Sequence, residues 1–485
     1  MNRLTAQELR IAAVIALGGL MAVLDTTIVA VALPRFMTTF SASLTTIQWV
    51  ATAYALAMVA AMPLAATMAQ RWGTRRVYLV ALLVFAAASA AAGAAGDLGW
   101  LIAARAVQGL AGGLINPLGM TIGFGTVDPA RRSRMTTITG LPLLVGPILG
   151  PVLGGFLLDS LSWRALFFIT VPPALLAVVG VLRWIPADAP SAERSPIDLL
   201  GGLLLVPGVV AVAYGFSEEA LGWGARVAIV VAGSALMAVF TRRSWHHRAP
   251  LLNVRLLRDR TFGRNTAVLV LYAAPYFGSM LLMPAYVQVI RGDSPMVSAL
   301  LSVPGALGMG ITIQFAARVL ERFGPRIVVG TGLSLAIIAT GMTMFVLAPD
   351  TPYPVLAILG VFQGAGTGAI MMPTIVSAGR NLHGSDLASG SAILPLASTI
   401  ASAVGTAVVS AVFTGLIAAA TGGRGLAALS DPSASTGLAE ELVSSYRVTL
   451  VGVLAVMVIA LVVRLKTRPA PVASAAEPTT VRSAA

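Results

Sequence analysis

The chain has 485 residues, 57% hydrophobic and only 11% charged, with a mean hydropathy of +0.88. A soluble domain carries about 25% charged residues, so a soluble globular protein is excluded and a polytopic membrane protein is indicated. The net charge of +13 raises nucleic-acid binding as a possibility, whereas the lack of any cysteine rules out disulfides, thiolate metal sites and thiol nucleophiles.

A membrane span needs about 20 mainly apolar residues. Fourteen stretches meet that need: 11–33, 48–69, 77–96, 100–123, 135–158, 165–185, 198–216, 226–243, 265–289, 296–317, 327–348, 353–376, 390–416 and 447–465. The first follows a short N-terminus of mixed charge with no cleavage-site pattern behind it, and reads as a retained span. With both termini inside, 25 of the 32 basic residues fall on inner segments, six on outer ones, and Arg105 within a span. That asymmetry is the positive-inside pattern. It disposes of nucleic acid, because the charge is spread over many short loops.

The first span reads "LDTTIVAVALP" (24–34) and contains Asp25. A charge at the centre of a bilayer costs at least about 2.5–3.5 kcal/mol. Two readings account for it: a carboxyl that loads and unloads a proton at a central cavity, or an acid tied to a polar partner for helix packing. The fourth span opens with "RAVQGLAGGLINP" (105–117). Arg105 lies at a depth compatible with Asp25, so the two can be related directly or through water; the plainer alternative is that Arg105 snorkels to the outer surface. The glycines behind it allow close helix approach.

The loop "AQRWGTRR" (69–76) sets Gly73 among Arg71, Arg75 and Arg76. It suits an inner gate pairing with acids or helix C-terminal ends, or it follows from charge asymmetry alone. The fifth span holds "GPILGPVLGGF" (146–156). Its residues Gly146, Pro147, Gly150, Pro151, Gly154 and Gly155 predict a kinked helix with a small-residue face. That face fits an interface between rocking domains, or ordinary close packing. "RRSWHHRAP" (242–250) has two adjacent histidines and no third ligand, so no metal site is expected.

The chain repeats itself at half its length. "MAQRWGTRRVYLV" (68–80) recurs loosely as "VLERFGPRIVVG" (319–330), and "RAVQGLAGGLINP" as "VFQGAGTGAIMMP" (361–373). The copies keep the same order and side, as in parallel-repeat transporters. The expected organisation is a six-helix half over 1–190, two linker spans and a basic loop over 191–263, a second six-helix half over 264–466, and a disordered tail over 467–485. The 184–196 and 417–446 segments read as loops.

These motifs together resemble the major facilitator superfamily, and within it the fourteen-span drug:proton antiporters similar to EmrB and QacA. "LDTTIVAVALP" resembles that family's first-span motif, "RAVQGLAGG" its motif B, and "GPILGPVLGG" its antiporter motif C. The resemblance implies an all-α fold of two six-helix bundles plus two extra central helices, and export of amphipathic drugs by alternating access in exchange for protons. It implies no cofactor, with the proton gradient as the driver. Partners would be a small-molecule substrate, protons and lipid, and the chain would be a monomer in the bacterial inner membrane with both termini cytoplasmic. Asp25 and Arg105 would couple the proton. Tyr54, Asn116, Tyr272, Tyr276 and Gln363 are candidates to line the cavity.

Two departures stand out. The Asn usual after "TTIV" in the first span is Ala30. The acid usual in the loop motif is Gln70, which puts its charge relay in doubt, and Glu321 in the second repeat is the candidate to replace it. No nucleotide-binding loop or catalytic constellation is present, so an enzyme or ATP-driven pump is not expected. Export of a lipid, an envelope precursor or an endogenous metabolite on the same fold stays open.

Overall fold

The computed structural model describes residues 4–42, 44–128, 131–188, 198–217, 222–247, 250–293, 295–420 and 435–466. Among these, every regular element is helical. The expected tail and most of the 184–196 segment lie outside the described residues.

Helix α1 (Ala6–Phe40) starts at a capping box: the Thr5 hydroxyl accepts from the Glu8 N–H, and the Glu8 carboxylate accepts from the Thr5 N–H. The second apolar stretch is bent by 55° at Met62–Pro63, where proline interrupts the hydrogen-bond ladder between α2 (Leu44–Ala61) and α3 (Leu64–Trp72). Then come α4 (Thr74–Gly93) and α5 (Leu98–Thr126). The fifth stretch breaks at Gly140 into α6 (Arg132–Thr139) and α7 (Leu141–Ser160). The sixth breaks before Pro172 into the short α8 (Ala165–Phe168) and α9 (Val171–Trp184). Linker helices α10 (Leu199–Ser217) and α11 (Trp223–His246) follow.

The second half comprises α12 (Arg260–Ser279), the short α13 (Leu282–Ala285), α14 (Pro295–Val346), α15 (Tyr353–Ala378), α16 (Gly384–Ala420) and α17 (Ser435–Leu465). One expectation is corrected here. The tenth and eleventh stretches form the two helical parts of α14, which meet at a break at Gly324, whereas the 417–446 segment, expected as a loop, is helical from Ser435 because α17 begins well before the apolar run. Eleven helices are long and apolar enough to cross a membrane, or twelve counting the bent α2–α3 pair, among the described residues.

The internal repeat is physical as well as textual. Gly73 ends α3 at φ 90° and Gly324 breaks α14 at φ 75°, a backbone region that side chains with a Cβ rarely enter. Beside each turn an arginine reaches the last helix of its own half: Arg75 Nη2 donates to the Leu182 carbonyl at 2.8 Å, and Arg326 Nη2 to that of Leu465 at 2.9 Å. A Cβ at Gly109 or Gly113 would overlap the carbonyls of Tyr54 and Met58 on α2. One at Gly364 or Gly368 would overlap those of Gly305 and Met309 on α14. Helices α1–α9 thus pack around two apolar clusters and α12–α17 around another, while a further cluster joins α10 and α11 with residues of both halves. Helix α10 lies between them, against α2 and α16, and α11 leans on α10.

Candidate functional site

Asp25 on α1 and Arg105 on α5 are both about 1% exposed. Arg105 Nη1 lies 2.5 Å from Asp25 Oδ2, a direct ion pair. Desolvating two charges costs several kcal/mol per ion, so such a pair persists only where the remaining hydrogen-bonding positions are also filled. They are filled here. Gln108, one helical turn beyond Arg105, donates from Nε2 to Asp25 Oδ1 at 2.8 Å and accepts from Arg105 Nη1 at 2.7 Å. Arg105 Nε donates to the Val50 carbonyl at 3.1 Å, and its guanidinium lies 4.1 Å from the Tyr54 ring centroid. Gln108 Nε2 also reaches Ser89 Oγ at 3.3 Å, and Ser89 in turn bonds Thr170 at 2.7 Å. A carboxylate is thereby held from one side by a cation and from the other by an amide. Protonating it would cancel the charge that binds Arg105 and leave the guanidinium only neutral acceptors.

The small-residue face of α7 packs directly behind this acid. A Cβ at Gly146 would overlap Val23, and one at Gly150 would overlap the Thr27 hydroxyl. These contacts fall two residues either side of Asp25, and the Thr27 hydroxyl approaches the Gly146 carbonyl at 3.4 Å. Gly146 and Gly150 therefore serve contact within one half, while α7 also touches α14 of the other. Gly154 is buried, and a Cβ at Gly155 would meet nothing within 4 Å. Pro147 and Pro151 lie within the α7 helical run, and their side chains are outside the described set.

The five residues expected around a shared cavity do not converge. Tyr54 is 1% exposed in the core of the first half, held against Arg105, and Tyr272 is fully buried in the second, its hydroxyl 2.6 Å from Thr367 Oγ1. Neither lines open space, because each ring faces its own bundle. Tyr276 is half-buried and stacked on Tyr272 at 5.5 Å, and Gln363 accepts from Thr340 at 3.0 Å. Asn116 alone of the five is exposed, although it sits mid-way along α5. Sequence reasoning could not separate these cases, since it does not say which face of a helix meets its own bundle.

On the arginine-rich face, Gly73 and Arg75 are engaged within the first half. Asp188 accepts from the N–H groups of Arg75 (3.0 Å) and Arg76 (3.2 Å), closing the start of α4 with an acid that favours a helix N-terminus. Arg71 is half-buried in the last turn of α3, and the side chain of Glu321 is outside the described set. Asp188, Gln108 and Arg132 were missed by the sequence reading. The first stood in an apparent loop, the second is uncharged, and the third was one arginine among several obeying the charge rule. Below Asp188, a cavity of about 590 Å³ opens among Thr5, Glu8, Thr74, Arg75 and Thr126.

The linker helices carry a further buried acid. Asp198 accepts from Arg243 at 2.7 and 2.8 Å and from the N–H groups of Gly201 and Leu251. Burial alone would raise this carboxyl, but the two N–H groups and Arg243 together hold it below the ordinary carboxylate value.

Comparison with known proteins gives one consistent result. The family model described as Major Facilitator Superfamily matches residues 15–310 and 266–484. A multidrug resistance protein B homolog of Mycobacterium tuberculosis is 32% identical over 85% of this chain and 77% of its own length. The puromycin resistance protein pur8 of Streptomyces alboniger is 33% identical over 82% of this chain and 80% of its own. Among solved structures, the human organic anion transporter MFSD10 matches at a TM-score of 0.64 and 16% identity, covering 93% of this chain and 99% of that one, a likeness of fold.

Proposed function

The chain belongs to the major facilitator superfamily, and from that premise we propose that it is a proton-coupled antiporter exporting amphipathic small molecules by alternating access. The observation that carries the reading is the fully buried Asp25–Arg105–Gln108 cluster. An intramembrane acid is costly and typically marks a proton or substrate route. The drug-resistance names of its relatives support drugs as cargo.

In this reading, protons arriving from outside neutralise Asp25 and free it from Arg105 and Gln108. The loosened α1–α5 contact then favours release of cargo outside and return of the empty, protonated carrier to the inward-facing state. Deprotonation toward the inside restores the pair and resets the carrier. No cofactor takes part. The protein works as a monomer in the bacterial inner membrane, with both termini in the cytoplasm.

Energetics bound the output. One charge crossing 100 mV supplies about 2.3 kcal/mol and one pH unit about 1.4, so one proton sustains a gradient of roughly a few hundred-fold for neutral cargo. Asp25 is the one acid described deep in the membrane, which favours neutral or monocationic cargo over large dications. Asn116, exposed within its span, is the best candidate for contact with that cargo.

The test is uphill export in proteoliposomes with an imposed proton gradient and a compound panel, comparing wild type with Asp25→Asn. Full-rate uphill export by the variant would remove Asp25 as the proton carrier. Unchanged export with the gradient collapsed would remove antiport. A lipid-flipping assay on the same vesicles separates drug from lipid cargo.

A further inference from the structure

We propose that Arg132 is the latch that holds the two halves together on the arginine-rich face, with a helix C-terminus in place of an acid as its keeper. The idea rests on the alternating-access part of the reading above. Arg132 opens α6 in the first half and is 3% exposed. Its Nε donates to the Phe124 carbonyl of its own half at 3.2 Å. Its other nitrogens cross to the second half. Nη1 donates to the carbonyls of Gly379 at 2.5 Å and Arg380 at 3.2 Å, and Nη2 to that of Leu382 at 3.3 Å.

Gly379 is the C-cap of α15, and Arg380 and Leu382 lie in the turn that follows, where the Leu382 N–H also donates to the Gly379 carbonyl. A helix C-terminus carries a partial negative charge and unpaired carbonyls, and a buried cation stabilises both. Among the described residues, each of these Arg132 bonds ends on a carbonyl oxygen. The contact is sealed by Phe124, whose ring lies 5.5 Å from the Arg132 guanidinium and so close to Gly379 that a Cβ there would meet it at 2.9 Å.

This arrangement answers the departure at Gln70. The usual loop acid is absent, and Arg75 spends its side chain within its own half. Closure across the halves falls to a guanidinium that needs no acid. Opening this face must break the three crossing bonds together, so Arg132 weights the closed state against the open one.

The native chain has no cysteine, so two introduced cysteines can be spin-labelled alone. Arg76→Cys in the first half and His383→Cys in the second are both exposed. Distances between them are measured in full-length protein in nanodiscs, without gradient or cargo. Arg132→Gln should raise the ratio of long to short distances by about tenfold or more, since each charge-assisted bond is worth more than a neutral one. Gly379→Ala, which displaces the Phe124 ring, should shift it in the same direction by less. Arg131→Gln should not shift it, because Arg131 pairs with Glu8 and Asp128 of its own half.

A folded Arg132→Gln variant with wild-type distances would overturn the latch, as would equal opening in Arg131→Gln. If Arg132→Gln does not fold, Gly379→Ala decides: wild-type distances there overturn the proposal. Because the readout uses neither protons nor cargo, opening in the variant alongside a wild type that fails to export would keep the latch and discard the antiport reading. The converse pair of results would do the reverse.

Discussion

In the first half, Arg105 and Gln108 on α5 face Asp25 on α1; in the second, Gly360 and Gln363 occupy the matching places on α15. The neutral part of the arrangement is duplicated. Gln108 bonds a hydroxyl on α4, Ser89, and Gln363 bonds a hydroxyl in the second part of α14, Thr340. The glycine contacts behind the two glutamines are duplicated as well. What the second half lacks, among the described residues, is a counterpart of this ion pair; its buried polar contacts include Tyr272 with Thr367 and Arg464 with Asn265. A bundle of this shape therefore assembles without a buried acid–base pair. The pair in the first half is costly and dispensable for packing, which is the physical reason to assign it to transport.

The sharpest way to break this comparison is to neutralise the acid. Asp25→Asn should collapse the uphill cargo gradient from roughly a few hundred-fold to near unity, read as vesicle accumulation, while Gln363→Leu should leave it within a small factor. Next in size is stability. Arg105→Leu leaves a carboxylate buried without its cation and should cost about 3–5 kcal/mol, read as a large drop in melting temperature. The double variant Asp25→Leu with Arg105→Leu removes both charges and should recover much of that loss while staying inactive. If the double variant melts as low as Arg105→Leu alone, the pair is structural and the comparison fails.

The glycines test the opposite side of the comparison. Gly109→Ala and Gly364→Ala each force a methyl into a neighbouring carbonyl, so both should destabilise by about 1–3 kcal/mol and to a similar degree. Tyr272→Phe removes one of two hydrogen bonds of the Thr367 hydroxyl, which also donates to the Gln363 carbonyl, and should cost about 1 kcal/mol, with export retained.

The smallest effect is expected between the halves. Asp198 is held below its ordinary value of 3.8. It therefore contributes stability that is complete above that pH and lost as pH falls through its lower, folded value. Wild type should lose melting temperature below about pH 4 more steeply than Asp198→Asn does; equal slopes would remove Asp198 as the cause.

Much of this was legible in the sequence because charge is expensive in lipid. Asp25 and Arg105 stood out in apolar runs, and the repeated glycines gave the two halves. Chain breaks were less legible. Gly140 and Met62–Pro63 interrupt runs that hydropathy reads as continuous, since hydropathy counts transfer cost and not backbone hydrogen bonds. The assignment of Tyr54 and Tyr272 to a shared cavity failed for a different reason: an aromatic ring in a span can face lipid, cavity or its own bundle with the same local sequence. Gln108 and Arg132 escaped notice because one is neutral and the other is camouflaged by its basic neighbours.

The contact between α7 and α1 has a mechanical consequence. Gly146 and Gly150 leave no clearance against Val23 and Thr27, so the two helices cannot slide past one another without steric collision. Helix α7 also abuts α14 across the divide. It is thus a rigid lever with one flank on the opposing half and the other on the turn that bears the carboxyl. A displacement of α7 at the divide therefore bears on the turn that carries Asp25, the residue proposed above to take the proton.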